Sequence, residues 1–141
     1  MNIYVDSSFL VAVYLSDTHS PGALRRIAQR PQIWLTPFHK VEMMHAIAQN
    51  VYRGDLTQGT AEKIRKGFVG DCESGVWSLT EMPAGVFESA AALALRHVSR
   101  IGGRTLDTLH VASAIELKAQ HFWTFDERQA KLAKAAGLKV S

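Results

Sequence analysis

Two aspartates follow short apolar segments near the two ends of the chain. Asp6 comes directly after residues 3–5, and Asp126 comes directly after residues 122–125. Short apolar runs of this kind predict buried strands of a parallel sheet. Ligands of open α/β sheets bind at the carboxyl ends of the strands. If the two strands are neighbours, Asp6 and Asp126 therefore lie side by side, although each alone is also explained as a helix cap.

Asp107 lies near the start of the most apolar predicted helix, at residues 106–118. A helix this apolar is expected to be buried on most sides, and burying a carboxylate is costly unless it is paired or binds a metal. The helix dipole offsets only about 0.3–1 kcal/mol of that cost. We therefore expect a cation beside Asp107, and the candidates are the Arg104 guanidinium and a metal ion.

Glu42 completes a set of four acids. It borders an apolar-leaning stripe of the helix predicted at 36–52, a position that a surface glutamate explains as well. Mg²⁺ and Mn²⁺ prefer oxygen ligands, and two such ions can activate water and stabilise the leaving oxygen of an in-line phosphodiester cleavage. Without metal, the carboxylates repel each other and their pKa values rise. The predicted metal ligands are Asp6, Glu42, Asp107 and Asp126.

The elements that must position these acids alternate along the chain. Strands are predicted at 3–5, 33–35, 76–79 and 122–125, with a short final one at 138–140. Helices are predicted at 9–15, 22–29, 36–52, 57–73, about 84–98, 106–118 and 127–136, with Ser7 and Thr105 as caps of the first and sixth. This alternation indicates βαβ units. We expect a three-layer α/β/α fold with a central parallel sheet of four or five strands.

Composition limits the class of protein. The 141 residues, 47% hydrophobic and 21% charged, predict one globular domain, 1–141. The single cysteine, Cys72, excludes an internal disulfide and a Cys/His zinc pattern, which fits a reducing cytoplasm. We expect no membrane span and no signal peptide, because apolar runs are short and no basic region precedes one. The net charge of +3 weakly favours an anionic partner such as nucleic acid.

The motifs together resemble a known family over essentially the whole chain. They are the apolar strand ending in Asp6–Ser7–Ser8, the glutamate of the third helix, the stretch 104–114 (Arg-Thr-Leu-Asp-Thr-Leu-His-Val-Ala-Ser-Ala) and Phe-Trp-Thr-Phe-Asp at 122–126. They resemble PIN domains, and most of all the VapC-type toxins of bacterial toxin–antitoxin pairs. The stretch 104–114 with 124–126 is the most specific part of the match.

The resemblance implies an Mg²⁺- or Mn²⁺-dependent endonuclease that acts on RNA. It also implies a homodimer and a cognate antitoxin whose tail blocks the acidic cleft. It assigns the metal site to the four acids named above and supporting hydroxyls to Ser7, Ser8 and Thr124. Arg104 either steadies Asp107 or contacts phosphate. For self-association, the sequence offers only apolar faces on the helices near 53–68.

Other aromatic and histidine residues are predicted to be structural. His39, His45 and His110 are interpreted as core histidines with satisfied ring nitrogens, although His110, one turn after Asp107, is also a candidate for supporting the metal ligands. The tryptophans are predicted to lie in the core rather than to stack on bases; they are Trp34, Trp77 and Trp123.

Three alternatives remain open from the sequence. A receiver-like signalling domain also carries a carboxylate at a strand end, but Asp6 has no acidic neighbour in the chain. A PIN-like domain that binds RNA or a protein partner without catalysis is less compatible with four intact acids. A DNA nuclease or a phosphatase that uses the same metals is not distinguished from a ribonuclease by these residues.

Overall fold

A computed structural model describes residues 2–141 of the chain and shows a four-stranded parallel sheet. The strands are β1 (Asn2–Val5), β2 (Gln32–Leu35), β3 (Ser78–Leu79) and β4 (His121–Trp123), in the spatial order β3-β2-β1-β4. The predicted fold class is confirmed, with four strands. The fifth predicted strand, at 138–140, forms only an isolated bridge between Val140 and Phe122.

Helices connect the strands and cover both faces of the sheet. They are α1 (Ser7–Tyr14), α2 (Ser20–Ile27), α3 (Pro37–Tyr52), α4 (Gln58–Ser74), α5 (Val86–Leu93), α6 (Ser99–Ile101), α7 (Thr105–Glu116) and α8 (Glu127–Ala135). A π-helical turn, Ala94–Val98, joins α5 to α6, where a single continuous helix was expected.

Two predicted caps are wrong by one residue. Ser7 is the first residue of α1, and the cap is Asp6, whose carboxylate accepts the Phe9 N–H. Thr105 is likewise the first residue of α7, and Arg104 precedes it at the cap position. In both helices a carboxylate accepts an N–H group of the first turn or its cap, which is the stronger, charge-assisted hydrogen bond. The acids thus begin helices as well as lining a site.

The core consists of two clusters, one on each face of the sheet. Ile3 and Val5 pack on one face with residues that include Phe9, Met43 and Trp77, whereas Tyr4 points to the other face. This alternation follows from the two-residue period of a strand. The second cluster contains Tyr4, Val86, Leu93, Val111, Phe122 and Leu132. Trp77 and Trp123 are buried as predicted, and Trp34 is half-buried.

The exposed apolar side chains lie elsewhere than the sequence suggested. The apolar positions of α4, such as Ala61 and Phe68, pack into the core rather than presenting a surface for self-association. The four most exposed large apolar residues instead lie on α3, on α5 and in the π-helical turn that follows α5; they are Val41, Tyr52, Phe87 and Leu95. Among the helices of residues 2–141, none has the length and hydropathy of a membrane span.

Candidate active site

The two strand-end aspartates lie side by side, as the sequence predicted for neighbouring strands. β1 and β4 pair in parallel with Val5 opposite Trp123, so their carboxyl ends meet. Thr124 Oγ1 donates to Asp6 Oδ2 at 2.5 Å and accepts the Asp126 N–H at 2.9 Å. One hydroxyl therefore fixes both acidic positions relative to each other. Ser8 supports the same corner by donating to Asp6 Oδ1 at 2.6 Å.

Asp6 is a buried carboxylate without a cationic partner. Its side chain is 4% exposed, and it forms no ion pair with any residue of the range 2–141. Burial raises the pKa of Asp6, while the hydrogen bonds from Ser8 and Thr124 oppose that rise. A buried carboxylate of this kind favours a bound cation, because a cation would stabilise the charged form.

Asp126 stands at the first turn of α8. Its Oδ1 accepts the N–H groups of Arg128 and Gln129 at 2.8 and 3.1 Å. The helix-cap explanation is therefore correct for Asp126, as it is for Asp6. It does not exclude a site, because in both aspartates the cap occupies only part of the carboxylate's capacity to accept.

Asp107 differs from the sequence expectation in its burial, and one of the two candidate cations does not pair with it. It is half-buried rather than buried, and within the described range the Arg104 guanidinium does not form an ion pair with it. Instead the backbone N–H of Arg104 donates to Asp107 Oδ2 at 3.0 Å. The Gln129 side chain donates to the Asp107 carbonyl at 3.0 Å and so ties α8 to α7. Arg104 therefore supports Asp107 through its backbone and not through its charge.

Glu42 is held by a side chain from another helix. Its Oε1 hydrogen-bonds His110 Nε2, and the other ring nitrogen, Nδ1, lies 2.8 Å from the Tyr4 hydroxyl. Tyr4 is fully buried, and burial raises its pKa well above the ordinary value, so its hydroxyl keeps its proton. The neutral hydroxyl can donate to Nδ1 while Nε2 donates to Glu42. His110 is therefore a buried histidine and also a direct contact of a site acid.

The other two histidines differ from each other. His39 is fully buried, accepts the Thr36 N–H at 2.9 Å and donates from Nε2 to the Val5 carbonyl at 2.7 Å. Burial lowers the pKa of His39 to about 3, so the ring is neutral. This confirms His39 as a satisfied core residue. His45 is exposed, and its prediction as a core histidine is wrong.

Seven of the eight residues predicted for the site line one cavity of about 140 Å³. They are the four acids with Ser7, Ser8 and Arg104, and the eighth, Thr124, lies behind the cavity wall, where it hydrogen-bonds Asp6 and Asp126. Two further lining residues are His110 and Leu106. The signal for His110 was its place three residues after Asp107, which puts both on one face of α7.

The donor set fits a hard divalent cation. Carboxylate and hydroxyl oxygens are the groups that Mg²⁺ and Mn²⁺ prefer, and Asp6 is buried without an ion-pair partner among residues 2–141. Over the same range, however, no three histidine, cysteine, aspartate or glutamate side chains are arranged to hold a metal ion. The acids surround one cavity without being gathered into a ligand cluster.

The sequence matches the PIN domain family over residues 3–135, and the chain belongs to that family. No curated protein matches it. Its fold is similar to VapC20 from Mycobacterium tuberculosis, a sarcin–ricin loop cleaving toxin, with a TM-score of 0.72 and 21% identity over 96% of this chain and 95% of that one.

Two further solved structures share the fold. VapBC2 from Rickettsia felis, bound to a DNA fragment from its promoter, has a TM-score of 0.72 and 12% identity over 100% of this chain and 98% of that one. FitAcB from Neisseria gonorrhoeae has a TM-score of 0.67 and 13% identity over 98% of this chain and 95% of that one. The likeness to VapC-type toxins is thus a likeness of fold.

Proposed function

We propose that this PIN domain is an Mg²⁺- or Mn²⁺-dependent endoribonuclease, acting in the cytoplasm as a single domain. The observation that carries the proposal is the convergence of four acids from four separate parts of the fold on one small cavity. Acids that only capped helices or coated the surface would have no reason to meet. The cavity also lies at the carboxyl ends of β1 and β4, where open α/β sheets bind ligands.

Each residue of the cavity has a proposed task. Asp6 and Asp107 hold divalent cations, and Glu42 and Asp126 complete the coordination directly or through water. When bound, the ions supply water activation and stabilisation of the leaving oxygen. Ser8 and Thr124 keep the Asp6 carboxylate oriented, and Ser7 lies beside them on the cavity wall. Arg104, exposed at the rim, contacts phosphate rather than pairing with Asp107.

RNA cleavage by purified protein is the direct test. We expect cleavage of RNA in Mg²⁺ or Mn²⁺, none in EDTA, and little cleavage of DNA of matched sequence. Equal cleavage in EDTA, by protein free of contaminating nucleases, contradicts the metal mechanism. Preferential cleavage of DNA supports the DNA-nuclease alternative instead.

A domain that binds RNA or a protein partner without catalysis is the second candidate. The specific observation in its favour is that the acids are not assembled into a metal-binding cluster within residues 2–141. Calorimetric titration with Mn²⁺ separates the two candidates. Absence of Mn²⁺ binding by the folded protein, together with absence of cleavage, contradicts the metal-dependent nuclease and supports the non-catalytic alternative.

The resemblance to VapC-type toxins extends the proposal to partners. We propose that the chain is the toxin of a toxin–antitoxin pair, which a small upstream reading frame encoding a DNA-binding protein would support. Expression without the antitoxin should arrest bacterial growth, and Asp6→Ala or Asp107→Ala should relieve the arrest. Persistent arrest by a folded Asp6→Ala protein contradicts this role.

We also propose a homodimer, formed through the exposed apolar residues of α3, α5 and the π-helical turn. Tyr52 is 86% exposed and Leu95 is 87% exposed, so both are accessible to a second copy of the chain. Light scattering should show a dimer for the parent and a monomer for Tyr52→Lys with Leu95→Lys. A monomeric parent at high concentration removes the claim.

A further inference from the structure

A second cavity lies beside the acidic one. It has a volume of about 370 Å³ and is lined by Ile101, Arg104, Asp126, Glu127, Arg128 and Lys131. Arg104 and Asp126 line both cavities, so the two adjoin. The smaller cavity is acidic, whereas the larger one carries three basic side chains. An anionic ligand could therefore contact the proposed metal ions in the acidic cavity and the basic side chains in the larger one.

Two local features position the basic residues. Gly102 and Gly103 have φ values of 78° and 128°, which favour glycine and turn the chain from α6 into α7 directly before Arg104. Arg128 and Lys131 lie three residues apart on α8, so they share one face of that helix. α6 contacts α8, and Ile101 of α6 lines the cavity together with the residues of α8.

The basic side chains of this cavity are available to a ligand. All three, Arg104, Arg128 and Lys131, are exposed, and within the described range none forms an ion pair. Glu127 and Asp126 also line the cavity, but Asp126 directs one oxygen to backbone N–H groups of α8. Exposed cationic side chains that are not engaged by these carboxylates can contact an added anion.

We propose that this basic cavity binds a backbone phosphate of the RNA strand next to the phosphate that is cleaved. The identity of the strand rests on the proposed ribonuclease function. Neutralising phosphates with Arg and Lys supplies most of the sequence-independent affinity for nucleic acid and fixes its register. The acidic cavity by itself repels a polyanion, so an adjoining basic subsite is needed to retain it.

The positions of the two cavities suggest a path for the RNA strand over the surface. From the acidic cavity the RNA passes Arg104, which borders both cavities, and continues over the start of α8. Another cavity, of about 440 Å³, lies between α3, α4 and the end of β2. It shares no lining residue with the acidic cavity, and its walls include the apolar Leu35, Phe68 and Leu79. Its charged lining residues are Lys40 and Glu73, so it offers a phosphate group less positive charge than the three basic side chains beside the acidic cavity.

Binding of RNA by the metal-free protein tests the subsite separately from cleavage. The probe is a short fluorescein-labelled single-stranded RNA, followed by anisotropy in EDTA over a series of salt concentrations. Arg128→Ala with Lys131→Ala should weaken binding and reduce the slope of log K against log salt by about 0.7 for each phosphate that the variant no longer neutralises. The matched control, Lys63→Ala with Lys134→Ala, removes the same charge from exposed residues that line neither cavity.

Glu127 provides a test with the opposite sign. Glu127→Gln removes a negative charge from the basic cavity and should tighten RNA binding. Its control is Glu88→Gln, because Glu88 is also an exposed first-turn glutamate, on α5. Equal losses in the double variant and its control, or no difference between the two glutamine variants, overturn the subsite. Loss of binding on Arg128→Ala with Lys131→Ala, in a protein that never cleaves RNA, supports the subsite and contradicts only the proposed enzyme.

Discussion

The acids at the strand ends and the acids on the helices are held in different ways. Asp6 and Asp126 each accept N–H groups from the helix that follows, and Thr124 contacts both positions. Glu42 instead depends on His110, a side chain 68 residues away on another helix. Asp107 accepts a single backbone N–H within its own helix cap. The two strand-end acids are therefore fixed by backbone register, whereas the position of Glu42 depends on how α3 and α7 pack.

One wall of the cavity, with Asp6 and Asp126, is therefore positioned by hydrogen bonds to nearby backbone. The other wall, with Glu42, is positioned by the packing of α3 against α7. His39 connects the two walls, because it stands on α3 with Glu42 and donates to the carbonyl of Val5, the residue before Asp6. Substitutions on the strand side should remove chemistry without moving neighbours. Substitutions on the helix side should act by moving a site acid. A conservative variant that keeps the acid in place should restore metal binding.

The largest effect is expected at the strand end. Asp6→Asn removes a buried proposed ligand, and because metal-ion stabilisation is worth several kcal/mol we expect RNA cleavage to fall by about 1000-fold or more. The initial cleavage rate in Mg²⁺ measures this. The control is Asp55→Asn, an exposed aspartate outside the cavity. A folded Asp6→Asn protein with near-parental activity would show that the strand-end acid does not act in the reaction.

The next effect tests the helix side through the His110 contact. Asn at position 110 replaces only the Nδ1 side of the ring, which faces Tyr4, whereas Gln reaches toward the place of Nε2, which contacts Glu42. We expect His110→Asn to weaken Mn²⁺ binding by roughly 10–100-fold, as is typical of residues that orient metal ligands, and His110→Gln to restore much of that affinity. Calorimetric Mn²⁺ titration reports binding independently of activity. Parental Mn²⁺ affinity in both variants would mean that His110 only fills the core.

Asp107→Asn is expected to change the thermal stability of the metal-free protein only slightly, and not to lower it. The amide oxygen can still accept the Arg104 N–H, and one of four mutually repelling charges is removed. In EDTA the variant should melt at the parental temperature or above it. At one hundred times its dissociation constant, Mg²⁺ should stabilise the parent by about 2.7 kcal/mol and the variant by less. A variant that loses roughly 3–5 kcal/mol in EDTA would instead indicate a buried charge pair.

A more gradual effect is a pH dependence that arises from His39. Its folded-state pKa of about 3 lies below the ordinary value of about 6.5 for an unfolded histidine. Protonation therefore favours the unfolded chain. The contribution of His39 to stability is complete above about pH 6.5 and is lost progressively as the pH falls toward 3. Denaturant unfolding of the parent and of His39→Gln across this range measures it, and identical pH profiles would refute the assignment.

The local sequence determined much of the strand side of this protein. A short apolar run that ends in an aspartate predicts a buried strand with a carboxylate at its carboxyl end. Asp6 follows β1 directly, whereas β4 ends at Trp123, three residues before Asp126. The alternation of strands and helices predicted the parallel sheet and its three layers. These features depend on residues close together in the chain, whose conformational preferences act before tertiary contacts form. The one-residue error at the first cap arose because Ser7 and Asp6 can both accept an N–H.

Only the tertiary structure decided which helix faces meet. Residue patterns show that α3, α4 and α5 each have an apolar side, but they do not show which neighbour covers it. The apolar side of α4 is buried, whereas Tyr52 of α3 and Phe87 of α5 are exposed. In the same way, the contact of His110 with Glu42 and the hydrogen bond between Thr124 and Asp6 join residues 68 and 118 positions apart. Such contacts follow from packing across the whole core. The hydrophobic effect stabilises the burial of an apolar side against any surface that fits, and the local sequence does not specify which surface that is.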